Sequence, residues 1–94
     1  MTKEKMEIYQ NLLTEKEIRR MNVVKEYLDQ YGELLKKKVI SPNRVFTALG
    51  KKYNFTNVGI RFILVSAGVY KSSKEPIHYP TAEEMAEKPT YFFV

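Results

Sequence analysis

The chain has 94 residues, 44% of them apolar and 29% charged, and a formal net charge of +5. These values predict one small globular domain over residues 1–94 and argue against a disordered chain. The sequence has no Cys, which excludes disulfides and thiolate metal sites. Its longest apolar run, residues 62–70, is too short for a membrane span. Because residues 1–5 are mostly polar or charged and lack an apolar signal segment, we expect a soluble cytoplasmic protein.

The first part of the chain, residues 1–38, has the pattern of helices. Spaced apolar residues predict a short helix at about 3–12. Thr14 and Glu17 form a capping box that predicts a second helix from about 15 to 36, with Gly32 marking a bend or an early end. The apolar stripe of this second helix recurs at helical spacing and consists of Ile18, Met21, Val24, Leu28, Tyr31 and Leu35.

Two further helices are predicted within residues 41–70. Ser41 is suited to the N-cap and Pro42 to the first position of a helix that runs to about residue 52. Asn54 tolerates the left-handed conformation that a tight turn requires. Thr56 then caps a helix that begins at residue 57, and Gly68 ends it.

The last part, residues 71–94, combines a loop, a short helix and an apolar tail. Thr81 and Glu84 form another capping box, which predicts a helix at about 82–88. The tail, residues 91–94, is expected to pack on the outer face of the 57–67 helix, on the stripe of the 15–36 helix, or on a second subunit. The whole pattern predicts an all-α domain of four or five short helices.

The segment 42–70 resembles the helix-turn-helix DNA-binding module of bacterial and phage regulators. In the module the second helix enters the major groove and the first crosses the phosphate backbone. The residues that carry this motif-level resemblance are Leu49, Gly50, Tyr53, Asn54, Phe55, Ile60, Ile63 and Leu64.

Charge supports the same interpretation independently of the motif. Residues 36–74 contain nine Lys or Arg and no Asp or Glu, whereas both flanks are net acidic. A basic block of this kind is typical of a surface that faces a polyanion, although a solvated basic face balanced by acidic flanks has the same composition.

The resemblance and the charge together predict a small DNA-binding protein of phage or mobile-element type, a transcriptional regulator or accessory factor. Asn57 and Arg61 are the expected base contacts, and Lys36, Lys37 and Lys38 form a second basic edge. The residues expected to neutralise phosphates are Arg44, Lys51, Lys52, Lys71 and Lys74.

An alternative function follows from the outer face of the 57–67 helix. Ile60, Ile63, Leu64 and Ala67 fall on one side of a helical wheel, and Val58, Phe62 and Val65 fall on the other. An apolar outer face suits a protein-protein interaction module that docks through these three side chains, as a viral inhibitor, an assembly component or a homodimer would. Binding of RNA through the basic block and exposed Tyr side chains is a third hypothesis.

Catalytic and cofactor chemistry are not expected from this sequence. His78 is the only His, Asp29 is the only Asp, and the four Gly residues are isolated rather than grouped in a phosphate-binding loop. The sequence therefore predicts neither a metal site nor a cofactor, and we expect no enzymatic activity.

Overall fold

The computed structural model describes residues 14–92, and this part of the chain is all-α, as predicted, with no strand among those residues. The helix expected at about 3–12 and the last two residues of the apolar tail lie outside the described residues. No helix within residues 14–92 has the length and apolar character needed to cross a bilayer.

The first long helical segment contains a wide turn that the sequence pattern does not reveal. It comprises α1 (Glu15–Glu26), a π-helical turn (Tyr27–Tyr31) and α2 (Gly32–Lys36). The predicted capping box is present, because the Glu17 amide donates to the Thr14 hydroxyl at 3.2 Å and the Thr14 amide donates to the Glu17 carboxylate at 3.2 Å.

The buried side of this segment differs from the predicted stripe, and the difference begins before the π-helical turn. A π turn holds more residues than an α turn, but Ile18 and Val23 precede it. Val23 and Tyr27, which the stripe omits, are fully buried, whereas Ile18, which it includes, is 41% exposed. Gly32 follows the wide turn directly and begins α2, so the helical segment does not end at this residue.

Helices α3 (Pro42–Tyr53) and α4 (Asn57–Ala67) begin and end at the predicted signals. Ser41 occupies the N-cap position of α3, although its side chain makes no capping hydrogen bond. Thr56 accepts a hydrogen bond from the Gly59 amide at 3.0 Å and so caps α4. Gly68 ends α4 in the left-handed conformation, with φ 82°.

The chain then returns across the helices through a loop and two short helices. The His78 amide donates to the Val69 carbonyl at 2.9 Å, which ties the loop to the end of α4. Thr81 and Glu84 form the second predicted capping box, and α5 (Ala82–Glu87) follows, one residue shorter than predicted. Helix α6 (Pro89–Phe92) completes the described chain.

The core lies where α1, α3 and α4 meet, and α6 packs on α1 at the edge of this core. Tyr91 and Phe92 of α6 are half-buried beside Val24 and Leu28. Of the three places considered for the tail, its described part therefore packs on α1. The buried apolar side chains are Met21, Val23, Val24, Tyr27, Leu35, Val45, Phe46, Leu49, Ile60, Ile63, Leu64, Ala67, Val69 and Tyr70.

Candidate nucleic-acid interface

The turn between α3 and α4 fixes the second helix against the first. Asn54 adopts φ 60° and ψ 52°, and its amide donates to the Gly50 carbonyl. The Phe55 amide donates to the same carbonyl at 2.9 Å. Asn and Gly are the residues that adopt this left-handed conformation most readily. The Thr56 cap starts α4 two residues later, so only three residues separate the helices.

One side of α4 is buried and the opposite side is open. Ile60, Ile63, Leu64 and Ala67 face the core. The outward side carries three apolar side chains at positions i, i+4 and i+7, here called the apolar row: Val58, Phe62 and Val65, which are 78%, 67% and 48% exposed. The row is therefore a surface feature among the described residues, and Arg61 is exposed beside it.

Asn57, which we expected to contact a base, forms a hydrogen bond within the protein. Its side-chain amide donates to the Thr47 hydroxyl at 2.8 Å, and Thr47 in turn donates to the Asn43 carbonyl at 3.0 Å. This bond connects the start of α4 to the middle of α3. In this conformation Asn57 positions the helix. One of its two amide hydrogens is occupied, so a bidentate contact with adenine would use the other hydrogen and the amide oxygen.

Arg44 and Lys51 project from the exposed side of α3. Together with Asn43, Thr47 and Ala48 they line a shallow groove along that helix. Because Thr47 is bonded to Asn57, the groove lies directly beside the start of α4. Both cations are exposed and neither has an ion-pair partner within residues 14–92.

A polar cleft places Arg61 and Lys71 together at the beginning of α3. Phe46 and Tyr70, both buried, form its apolar part. The rest of the cleft is lined by Pro42, Asn43, Ser72 and Ser73. Asn43 lines both the cleft and the groove, so the two adjoin at this residue. We call Arg44, Lys51, Arg61 and Lys71 the basic rim.

Lys52 differs from its neighbour Lys51 because it is paired. Its amine lies 2.5 Å from Glu26 on α1, whose side chain is 15% exposed. The hydrogen bond to this carboxylate is the main reason that the pKa of Lys52 is raised. The Tyr53 hydroxyl donates to Glu26 at 3.1 Å. Burial, and then this bond, raise the pKa of Tyr53.

The remaining basic residues lie away from the groove and the cleft. Lys74 is exposed in a turn in which the amides of Lys71 and Ser72 donate to the Glu75 carbonyl. Lys36, Lys37 and Lys38 are exposed at the end of α2, where Lys38 has φ 58°. Of the seven residues expected to contact DNA, Arg44 and Lys51 lie in the groove, Arg61 and Lys71 lie in the adjoining cleft, and Asn57 is bonded to Thr47 of the groove.

His78 has a local partner rather than a place in a metal centre. Its Nε2 lies 3.1 Å from a Glu84 oxygen, which ties the loop to α5. Hydrogen bonds from the Thr81 amide and from His78 lower the pKa of Glu84. Within residues 14–92 no three His, Asp or Glu side chains come together in a way that could hold a metal ion.

One cation that supports the site comes from outside the basic block and was not predicted. Arg19 of α1 donates to the Tyr53 carbonyl at 3.4 Å, and its guanidinium lies 5.2 Å from the centre of the Phe55 ring. It thus holds the turn between α3 and α4. The sequence around Arg19 does not indicate this contact, because the contact depends on how α1 packs against the turn.

Comparisons with protein-family models, curated proteins and solved structures found no match to this chain. The arrangement of side chains around α3 and α4 is therefore the basis for its functional interpretation.

Proposed function

We propose that this protein binds double-stranded DNA, with α4 in the major groove and the basic rim on the flanking phosphates. The observation that carries the proposal is that the groove and the cleft adjoin. Arg44 and Lys51 in the groove and Arg61 and Lys71 in the cleft share Asn43 as a neighbour. No acidic residue occurs in the segment 36–74 that supplies them. Clustered cations without acidic partners suit a polyanion.

The two helices would contact different parts of the duplex. Arg44 and Lys51 on α3 would contact phosphates, which position a protein on the duplex without reading sequence. Arg61 on α4 is the cation best placed to reach a base edge, and guanine is the usual partner of Arg. By resemblance to bacterial and phage modules, the protein would act in the cytoplasm as a transcriptional regulator or accessory factor.

Salt dependence of duplex binding tests this proposal. Each phosphate neutralised contributes about −0.9 to the slope of log affinity against log salt concentration. We expect Arg44→Ala combined with Lys51→Ala to reduce the magnitude of that slope by about 1.8. Fluorescence anisotropy with a short labelled duplex, over a series of salt concentrations, measures both slopes.

Lys25→Ala is the matched control, because it removes an exposed cation of α1 that lies near Glu26 and Asp29. We expect its slope to equal that of the wild-type protein. Absence of duplex binding by the wild-type protein at low salt would refute the proposal. An unchanged slope in the double variant would show that phosphates are bound elsewhere.

A second candidate function is docking of a protein partner, and the exposure of the apolar row favours it. Soluble proteins rarely leave several large apolar side chains together in water without a use for them. Val58, Phe62 and Val65 would then bury against a partner or a second copy, with Arg61 beside the contact. This function and DNA binding use the same face of α4 and therefore compete.

A further inference from the structure

The apolar row lies on the face of α4 that the proposed function directs into the major groove. Three of the five outward residues on this face are Val58, Phe62 and Val65, all exposed. Of the two polar ones, Asn57 is bonded to Thr47. Arg61 is therefore the main hydrogen-bond donor of this face, and Asn57 keeps one amide hydrogen. The face therefore offers mainly apolar surface to whatever it contacts.

The major groove contains one apolar group that such a surface matches. Each thymine presents a 5-methyl group there, and apolar side chains recognise it by contact. Val58 and Val65 are seven residues apart, which is about 10 Å along a helix. That distance corresponds to about three base-pair steps of a duplex, so the row can meet methyl groups on successive pairs.

The charge around the row favours a duplex over an uncharged occupant. One member of the basic rim, Arg61, is exposed on α4 beside the row, and the rim has no ion-pair partner within residues 14–92. An apolar surface with an unpaired cation beside it fits a ligand whose apolar groups lie between lines of negative charge. Thymine methyl groups between the two phosphate backbones have this arrangement.

We infer that the apolar row reads thymine methyl groups, so that the protein prefers thymine-rich duplexes. This inference rests on the proposed function and specifies its substrate. Arg61, between Val58 and Phe62 on the same face, adds a preference for a guanine within such a tract. Sequence selection thus depends on apolar contact more than on hydrogen bonds.

Replacing thymine by uracil tests the inference, because the two bases pair identically and differ only in the methyl group. Two probes are compared by anisotropy: an alternating adenine–thymine duplex and the same duplex made with uracil. Burial of one methyl group corresponds to about a fourfold change in affinity. With two or three methyl groups in contact, we expect the wild-type protein to bind the thymine duplex at least about tenfold more tightly.

Variants of the row must reduce this preference specifically. We expect Phe62→Ala and Val58→Ala each to lower the thymine-to-uracil affinity ratio by about fourfold, while affinity for the uracil duplex changes little. Val39→Ala is the matched control, since Val39 is 69% exposed but precedes α3; its ratio should equal that of the wild-type protein. Circular dichroism verifies that each variant is folded.

The possible failures are distinguishable. Equal affinity for both duplexes with a steep salt slope would overturn the inference and leave DNA binding intact. Binding to neither duplex would overturn both. If Phe62→Ala leaves the affinity ratio unchanged but dissociates a dimer, the row is a protein interface and the inference is wrong.

Discussion

Tyr27 joins three parts of the fold through one side chain. It begins the π-helical turn, is fully buried, and packs against Phe46 of α3 with ring centroids 6.4 Å apart. Its hydroxyl donates to the Pro76 carbonyl in the loop before α5. Burial raises the pKa of the Tyr27 hydroxyl, because the charged form has no water around it. The residue therefore holds the loop only while it is protonated.

Tyr27→Phe tests that role. The variant leaves the Pro76 carbonyl without its partner, and we expect the free energy of unfolding to fall by about 1–3 kcal/mol. Urea unfolding measures the loss. Tyr31→Phe, on the same turn and half-buried, should have a smaller effect. An equal loss in both variants would contradict a special role for Tyr27.

Ionisation of Tyr27 should make the folded state less stable as the pH rises. The pKa of Tyr27 is higher in the folded state than its ordinary value of 10.0. Its contribution to stability is therefore complete below pH 10 and is lost as the pH rises above that value. Tyr27→Phe should lack this component, so its stability should decline less between neutral and alkaline pH than that of the wild-type protein.

At the scale of elements, Gly50 controls how closely the turn folds back on α3. A Cβ atom at this position would lie 2.5 Å from the Phe55 carbonyl oxygen. That oxygen belongs to the backbone of the turn, so it cannot move aside as a flexible side chain would. The close approach brings α4 against α3 and places Asn57 within reach of Thr47.

We expect Gly50→Ala to destabilise the protein by about 1–3 kcal/mol, as insertion of a methyl group into a packed site does. Intrinsic helix propensity alone would make the Ala variant more stable by about 1 kcal/mol. The steric clash therefore predicts a change in stability opposite to the one that helix propensity predicts. Thermal unfolding measures the change. Ala48→Gly, at an exposed site on the same helix, reports propensity alone. A rise in the melting temperature of Gly50→Ala would refute the steric explanation.

Local chemistry explains why the helix boundaries could be predicted. Thr14, Asn54, Gly68 and Thr81 act within a few residues of their own position, through capping bonds or left-handed backbone. The buried side of the first helical segment was predicted only in part. Val23 and Tyr27 are buried beside the predicted Val24, because this side packs against distant residues, as Tyr27 does against Phe46. A single narrow stripe therefore omitted them.

The sequence predicted where the charged and apolar residues of the candidate site lie, but not which residues contact one another. Sequence alone indicates the acid-free basic block and the apolar outer side of α4. It does not reveal that Lys52 pairs with Glu26, that Asn57 bonds to Thr47, or that Arg61 and Lys71 share a cleft. In each case the two residues are at least ten positions apart along the chain. Their proximity is therefore set by how the helices pack and not by local sequence.

At the scale of the whole molecule, Phe62→Glu separates a surface role from a core role. Because Phe62 is 67% exposed, we expect the variant to melt within a few degrees of the wild-type protein. A large drop in melting temperature would mean that the side chain supports the core. Light scattering on both proteins decides the second candidate function, which requires a wild-type dimer that this variant converts to monomer, or a protein partner that it no longer binds.

Arg61, the member of the basic rim that lies beside the apolar row, also affects how the protein behaves in the absence of any partner. Two copies that brought their rows together would bring like charges together, and this repulsion acts as colloidal protection at low ionic strength. Added salt screens this repulsion, which at physiological ionic strength acts over only about 8 Å. Raising the ionic strength should therefore have two effects: it weakens binding to a polyanion, and it lets the exposed apolar surfaces of two copies meet. Low salt should favour both solubility and duplex binding.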